Sequence, residues 1–356
     1  MTNDYKKEWE EYVASELALL TPVLGALGYS LDAGQPHTAG ERYLQQAVTT
    51  TSGRKLILLG THTNGTRVVI KTTENAAGIR ELEHERACRA LLKEIRFAYQ
   101  VFHAPEELFF GKRNGRFISI QKFIEQDIPF TERPLEEQFT LALSAFKAQE
   151  SAHATTYEHM RRTARLFGIM QAADYLRTFN GFTASGPAIE ATRARLEAGS
   201  ERIEQYCGFL THTDFVPHNF RVVGKNIYLL DAASLRFGNK YEGWARFLNF
   251  MELYNPPLTK ALVQYVKDNR AAEELESLQL MRLYRLGELL TYYTNWLPKV
   301  SGNLQELTEA RLTFWTHVLE AQLNGKEVSA EALATYKENR DTLRSEDEKK
   351  RQIGLH

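Results

Sequence analysis

Cysteine is nearly absent from this sequence. The 356 residues contain two, Cys88 and Cys207, with no partner at metal-ligand spacing around either. Two cysteines cannot build a disulfide framework, so a reducing compartment is the simpler expectation. Long hydrophobic runs are also missing: no stretch of about 18 apolar residues is present, which argues against a helical membrane span. The first twelve residues are polar and charged and lack the apolar centre of a signal peptide. A cytoplasmic location is therefore expected. A charge excess is lacking as well. Lys and Arg total 44 against 45 Asp and Glu, a net charge of -1, which gives no overall field for nucleic acid or for polycations. Low-complexity segments and internal repeats are not found. What remains is an ordinary globular composition, 43% hydrophobic and 25% charged, in a chain long enough for two packed lobes.

The periodicity changes along the chain. Residues 4–27 carry Trp9, Tyr12, Val13, Leu17, Leu20, Val23 and Leu24 at helical steps, with Pro22 as a possible kink and Gly28 as a stop. Asp32 to Gly40 has the composition of a loop. Residues 43–73 are rich in β-branched residues, separated by Ser52-Gly53 and Asn64-Gly65, and predict three antiparallel strands. A helix is expected over 77–94. Two further strands are expected at 107–111 and 116–123, joined by Asn114-Gly115. Beyond Pro129 the pattern is helical, with a break at 179–186. It is interrupted by one β-hairpin, Phe220–Val223 and Ile227–Leu230. The charged stretch Lys337 to Gln352 is expected to be a solvated helix end.

The chemistry is concentrated around that hairpin. His212-Thr213-Asp214-Phe215-Val216-Pro217-His218-Asn219 precedes it and Asp231 follows it. Phosphoryl transfer asks a protein mainly to position groups and offset charge. One carboxylate must face the acceptor hydroxyl, and hard oxygen ligands must hold Mg²⁺ against the nucleotide phosphates. A hairpin that starts at Asn219 and ends at Asp231 returns the acid to the amide, with Asp214 beside both. The order H-x-D-x4-N, hairpin, D matches the catalytic-loop and metal-site arrangement of kinases. A cation for the phosphates is offered in the first third. Lys71 ends the strand RVVIK, and the following helix offers Glu85 as its ion-pair partner, with Glu81 as the alternative. The turn containing Ser52 and Gly53 could cover phosphate through backbone N–H groups. Ile70 and Phe123 are the apolar groups expected to flank the base, near a linker at Gln121 to Glu125.

These residues resemble the aminoglycoside phosphotransferase and choline kinase superfamily over about residues 43 to 250. The resemblance implies an α+β, bilobal protein-kinase-like fold: a small antiparallel-sheet N-lobe over 1–124, with a helical extension over 1–40, and a helical C-lobe over 125–356. It implies a kinase that moves the γ-phosphoryl group of ATP or GTP, with Mg²⁺, to a small-molecule hydroxyl. Asp214 is then the catalytic base, His212 braces its loop, and Asn219 and Asp231 hold the metal. Lys71, Glu85, Ser52, Gly53, Ile70 and Phe123 serve the nucleotide. The sequence departs from that pattern at His218, where glycine is common, and at Gly243, where an acid is typical and Glu242 is the neighbouring substitute. A nucleotide-binding pseudokinase is the competing reading. A protein kinase is disfavoured because no G-x-G-x-x-G, D-F-G or A-P-E is present. The acceptor is left open. Asp174, Glu242 and Glu252 are the acids that would suit a polyamine or aminoglycoside.

Overall fold

The computed structural model describes residues 2–36, 55–95, 102–154 and 165–344, together with 346 and 349. Helix α1, Thr2–Ala26, runs through Pro22 without a break and ends ahead of Gly28. Three strands follow: β1 (Tyr29–Leu31), β2 (Leu56–His62) and β3 (Arg67–Thr73). Helix α2 (Ala76–Glu94) comes next, then β4 (Phe102–His103), β5 (Glu107–Arg113) and β6 (Arg116–Lys122). Four of these strands and β1 form one antiparallel sheet in the order β1-β2-β3-β6-β5. Asn114 and Gly115 take φ of 45° and 81°, the left-handed backbone that a tight hairpin turn between β5 and β6 requires. Gly60 serves a different need. A side chain there would meet the Ser30 carbonyl oxygen at 2.5 Å, so only glycine lets β1 pair this closely with β2.

Strand β1 lies between the expected helix stop at Gly28 and the loop expected from Asp32, where no element was read, because three residues are too few to show a two-residue period. The expected strand over 43–50 and the Ser52-Gly53 turn lie outside the described residues.

One face of the sheet is closed by α1. Trp9, Val13, Leu20, Val23 and Leu24 pack on Leu56, Leu58, Val68, Ile70, Ile118 and Ile120. Each such fully buried aliphatic side chain contributes about 1.5–3 kcal/mol. Arg116 on β6 reaches across to Glu16 of α1 through two hydrogen bonds, at 2.7 and 2.8 Å. The other face receives α2. Asn75 caps this helix, its side chain accepting from the Ala77 N–H at 2.8 Å.

The second half is helical: α3 (Leu135–Glu150), α4 (Ala172–Asn180), α5 (Pro187–Ala198), α6 (Ser200–Gln205), α7 (Glu242–Tyr254), α8 (Pro256–Asn269), α9 (Ala272–Trp296), α10 (Asn303–Leu323) and α11 (Ala330–Leu343). Between α6 and α7 lie β7 (Phe209–His212), β8 (Phe220–Val223), β9 (Asn226–Leu229) and β10 (Leu235–Gly238). β8 and β9 form the expected hairpin. The pairing of β7 with β10 was not expected, since two four-residue strands separated by the hairpin carry no local signal. The largest core joins these strands to the helices, and it also takes Cys88, Leu91 and Leu92 from α2 and Ile95 just beyond its end. Thus α2 presents charged groups to the first sheet and apolar groups to the second lobe, and spans the two. This is the bilobal α+β architecture anticipated from the motifs. Among the described residues no helix is long and apolar enough to cross a membrane.

Candidate active site

Lys71 sits in the middle of the sheet, paired in register with Ile57 on one side and Ser119 on the other. Its ammonium donates to both carboxylate oxygens of Glu85, at 2.7 and 2.8 Å. Glu85 is therefore the partner, and Glu81 instead pairs with Lys55 at 2.8 Å. Glu85 also accepts from Arg89 at 2.7 Å, one turn further along α2, and from Gln121 at 3.4 Å. Arg89 is anchored in turn by Glu107 at 3.0 Å. Burial alone would raise the Glu85 carboxyl pKa, but the charges of Lys71 and Arg89 overcome it and hold the pKa below the usual value. Arg89 lies four residues from Glu85 and was legible as a helix-face partner; Gln121 required the sheet register.

Ile70 is a correction. It is fully buried in the core beneath α1, on the sheet face opposite Lys71. Successive strand residues point to opposite faces, so Val69 and Lys71 share the face away from α1 and Ile70 cannot. Phe123 follows β6 at the linker, its N–H bonded to the Arg67 carbonyl at 2.9 Å and its ring covered by the Arg67 guanidinium at 4.5 Å. It lines a cavity of about 940 Å³ with Arg67, Ile95, Phe102, Val223 and Tyr228. Lys71, Asp214, Asn219 and Asp231 do not line that cavity. Ser52 and Gly53 lie outside the described residues.

The C-lobe half is built on backbone. His212 ends β7 opposite Leu235 of β10, with its own N–H held by Gln149 at 2.8 Å. The fully buried imidazole places Nε2 at 2.8 Å from the Asp231 carbonyl oxygen. A carbonyl only accepts, so Nε2 carries the proton, and Nδ1 is left buried without a partner. Burial pushes the His212 pKa down against the opposing charges of Asp231 and Asp214, so the ring is a neutral strut. Thr213 doubles this link, its N–H and hydroxyl both donating to the Ser234 carbonyl, at 2.8 and 3.1 Å.

Asn219 donates through Nδ2 to both the carbonyl and Oδ2 of Asp214, at 2.9 and 2.7 Å. Its own carbonyl accepts the Leu230 N–H at 2.9 Å, which brings Asp231 alongside. Asp231 Oδ2 accepts from the Ser234 hydroxyl at 2.5 Å. Asp214, Asn219 and Asp231 thus converge. Helix α2 packs on this turn, and Cys88 lies close enough to feel both Asp231 and Glu85. Burial first, then those two charges, push its thiol up to about 12. The two halves of the site share one neighbourhood, with Cys88 between them as an inert thiol.

Arg246 was not anticipated. Helix α7 is buried around its circumference except for Arg246, Phe250 and Tyr254, which recur at four-residue steps along one ridge. Arg246 Nε donates to Asp214 Oδ1 at 2.7 Å. Burial raises the Asp214 pKa, but the charge and hydrogen bond of Arg246, with help from Arg285 and His212, lower it to about 2. Both carboxylate oxygens are engaged, one by Arg246 and one by Asn219. His218 turns its ring edge-on to Phe250 at 5.1 Å and so belongs to this ridge.

Glu242 does not stand in for an acid at Gly243. It is fully buried and takes hydrogen bonds from Tyr175 at 2.6 Å and from Arg236, with Arg285 at 3.4 Å. Gly243 fills its own position tightly. A β-carbon there would come within 3.0 Å of Gln149 Oε1 and Thr211 Oγ1 and 3.1 Å of the His212 carbonyl.

The donor set suits a hard divalent cation. Asn219 Oδ1 and Asp231 Oδ1 are oxygens that accept no hydrogen bond from the described residues. No cluster of three or more His, Cys, Asp or Glu able to hold a metal occurs among the described residues.

No family model matches the chain, and no curated protein matches it in sequence. Solved structures match it in fold. A thermostable mutant of an aminoglycoside phosphotransferase, in a ternary complex with AMP-PNP and hygromycin B, superimposes with a TM-score of 0.54 at 13% identity, covering 76% of this chain and 90% of that one. A macrolide 2'-phosphotransferase from Brachybacterium faecium gives 0.52 at 13% identity over 83% and 97% of the two chains. An amicoumacin kinase in complex with AMP-PNP and Ca²⁺ gives 0.55 at 9% identity over 91% and 97%. The chain therefore has the bilobal kinase-like fold of the small-molecule phosphotransferases.

Proposed function

We propose that this protein is a small-molecule O-phosphotransferase that transfers the γ-phosphoryl group of a purine nucleotide to an acceptor hydroxyl. The observation that carries the reading is the convergence of Asp214, Asn219 and Asp231 on one loop-and-hairpin unit, joined through α2 to the Lys71–Glu85 pair. Lys71, held by Glu85, is placed to meet the α- and β-phosphates. Asn219 and Asp231 would hold Mg²⁺, which when bound neutralises phosphate charge in the transition state. Asp214 meets the acceptor hydroxyl, orients its oxygen at the γ-phosphorus and takes the proton as the new O–P bond forms and the bond from the γ-phosphorus to the β,γ-bridging oxygen breaks, releasing the nucleoside diphosphate. A carboxylate with a pKa near 2 is a weak base. In a loose transition state the proton leaves late, so orientation is the larger part of that role.

The acceptor's hydroxyl must displace Arg246 from Asp214 Oδ1 or approach beside it. That favours a neutral or anionic acceptor over a polycation. The acids that would suit a polyamine are already committed: Asp174 caps α4 and pairs with Arg177, Glu242 serves Arg236 and Arg285, and Glu252 accepts from Arg282 at 2.6 Å. The same Arg246–Asp214 contact favours the second reading, a nucleotide-binding module without turnover, if no acceptor can break it.

The experiment is a phosphate-transfer assay with Mg²⁺ and nucleotide across a panel of neutral, anionic and cationic hydroxyl compounds, for wild type and Asp214→Asn. Turnover by wild type, lost in the variant with nucleotide binding kept, is the expected result. Binding of nucleotide with no turnover on any acceptor would establish the non-catalytic reading.

A further inference from the structure

Arg221 lies on β8, two residues beyond Asn219. Strand alternation sends Phe220 and Val222 into the C-lobe core, where both are essentially solvent-free. Arg221 and its cross-strand neighbour Tyr228 lie on the opposite face of the hairpin. That face meets the linker: the Arg221 guanidinium stands 5.9 Å from the centre of the Phe123 ring. Val223 and Tyr228, from the same face, line the cavity that Phe123 borders.

The residue is only 6% exposed, yet no carboxylate and no side-chain hydrogen bond reaches its guanidinium from the described residues. Burial alone acts on its pKa and pushes it down, with no counter-charge opposing. Four other arginines of similar burial have carboxylates, Arg89 from Glu85, Arg133 from Asp127, Arg282 from Glu252 and Arg285 from Glu242, and Arg311 has the Tyr293 ring and a hydrogen bond to Tyr336. A guanidinium has five donors and cannot give up its charge, so a buried one without an acceptor is costly. Beside the linker ring of Phe123, that cost points to an acceptor supplied by a ligand.

The cleft has two chemically different ends. Lys71 and Asp231 mark the phosphate end. The linker at Phe123 marks the other, where the sequence reading expects the base. Arg221 belongs to the linker end, so the acceptor it lacks is on the base. Guanine and hypoxanthine present two adjacent acceptors, O6 and N7, which a guanidinium takes with paired hydrogen bonds; adenine carries an amino donor in place of O6. We propose that Arg221 reads the base and makes this protein selective for 6-oxopurine nucleotides, GTP in preference to ATP. The inference rests on the nucleotide-binding reading.

It is tested by calorimetric titration of the full chain with GTP, ITP and ATP in the presence of Mg²⁺, which needs no acceptor. Wild type, Arg221→Leu and Arg221→Lys are compared, each first checked for a cooperative thermal transition. GTP and ITP are expected to bind wild type about tenfold to a hundredfold more tightly than ATP, the discrimination of one bidentate contact. Arg221→Leu should level the three nucleotides. Arg221→Lys should keep only part of the preference, because an ammonium lacks the planar fork. Wild type that binds ATP as well as GTP, or ITP that follows ATP, overturns the base-reading role and leaves nucleotide binding intact. So does an Arg221 variant, of either kind, with an undiminished GTP preference. Failure of all three nucleotides to bind wild type overturns both readings.

Discussion

The two halves of the candidate site are held by different means. In the N-lobe, Lys71, Glu85, Arg89 and Gln121 come from two strands and a helix and are fixed to one another by side-chain contacts. In the C-lobe, Asp214, Asn219 and Asp231 are fixed mostly through main chain: β7 against β10, β8 against β9, Asn219 to Leu230, and His212 to the Asp231 carbonyl. A side-chain network has one member whose loss strands the others. A backbone frame tolerates loss of a functional group while keeping its shape. The first half should therefore couple chemistry to stability, and the second should separate them.

The largest expected effect tests that separation. Asp214→Asn should lower turnover by about 10²–10⁴-fold, the usual range for a general-base group, while leaving the thermal midpoint and nucleotide affinity near wild type. A variant that loses nucleotide binding along with turnover would place Asp214 in the frame itself. In the N-lobe the hub is Glu85. Glu85→Gln leaves Lys71 and Arg89 without their shared counter-charge and should cost about 3–5 kcal/mol in urea unfolding. Lys71→Met should cost less, because Arg89 remains on Glu85, and should act chiefly on turnover. Equal stability losses for the two variants would contradict the hub assignment.

A smaller effect probes the packing behind the catalytic loop. Gly243→Ala pushes a methyl group against Gln149, Thr211 and the His212 carbonyl, and should destabilise by about 1–3 kcal/mol. A neutral result in the same unfolding measurement would mean that β7 and α7 can part easily.

The smallest effect is in pH dependence. His212 is held neutral with a pKa below its ordinary 6.5. Above that value folded and unfolded chains bind the same number of protons at this ring. Below it the unfolded chain binds more, so stability falls as pH falls. His212→Asn should flatten the decline in urea midpoint between pH 7 and 5. Asp214 acts lower: its pKa is depressed from 3.8 to about 2, so its contribution is present above 3.8 and is lost only as pH drops toward 2. A wild-type and His212→Asn profile that coincide throughout would remove the neutral-strut role.

The same contrast explains what could be read from the chain alone. The C-lobe motif was legible because every member lies within one short ribbon, where spacing fixes position. The Lys71–Glu85 pair was legible because a strand lysine and a helix carboxylate follow one another closely in the chain. Ile70 was misread although the sequence held the correction: if Lys71 faces the cleft, two-residue alternation turns Ile70 away and offers Val69. Strands β1, β7 and β10 are too short for a periodic signal and are defined by pairing across distance. Arg246 and Arg221 were missed for a related reason. A single arginine on a helix or strand has no local signature, and its meaning came only from what the fold placed beside it: Asp214 in one case, and in the other the Phe123 ring with no carboxylate among the described residues.

The central claim is that Asp231 and Asn219 present oxygens to a divalent ion that carries the nucleotide phosphates. The direct measurement is the metal dependence of nucleotide binding, by thermal shift of the full chain with and without Mg²⁺. With nucleotide at about a hundred times its Kd in Mg²⁺, wild type should be stabilised by roughly 2.7 kcal/mol, and by much less when Mg²⁺ is left out or when Asp231 is replaced by Asn. Stabilisation that is indifferent to Mg²⁺, or unchanged in Asp231→Asn, would contradict the account.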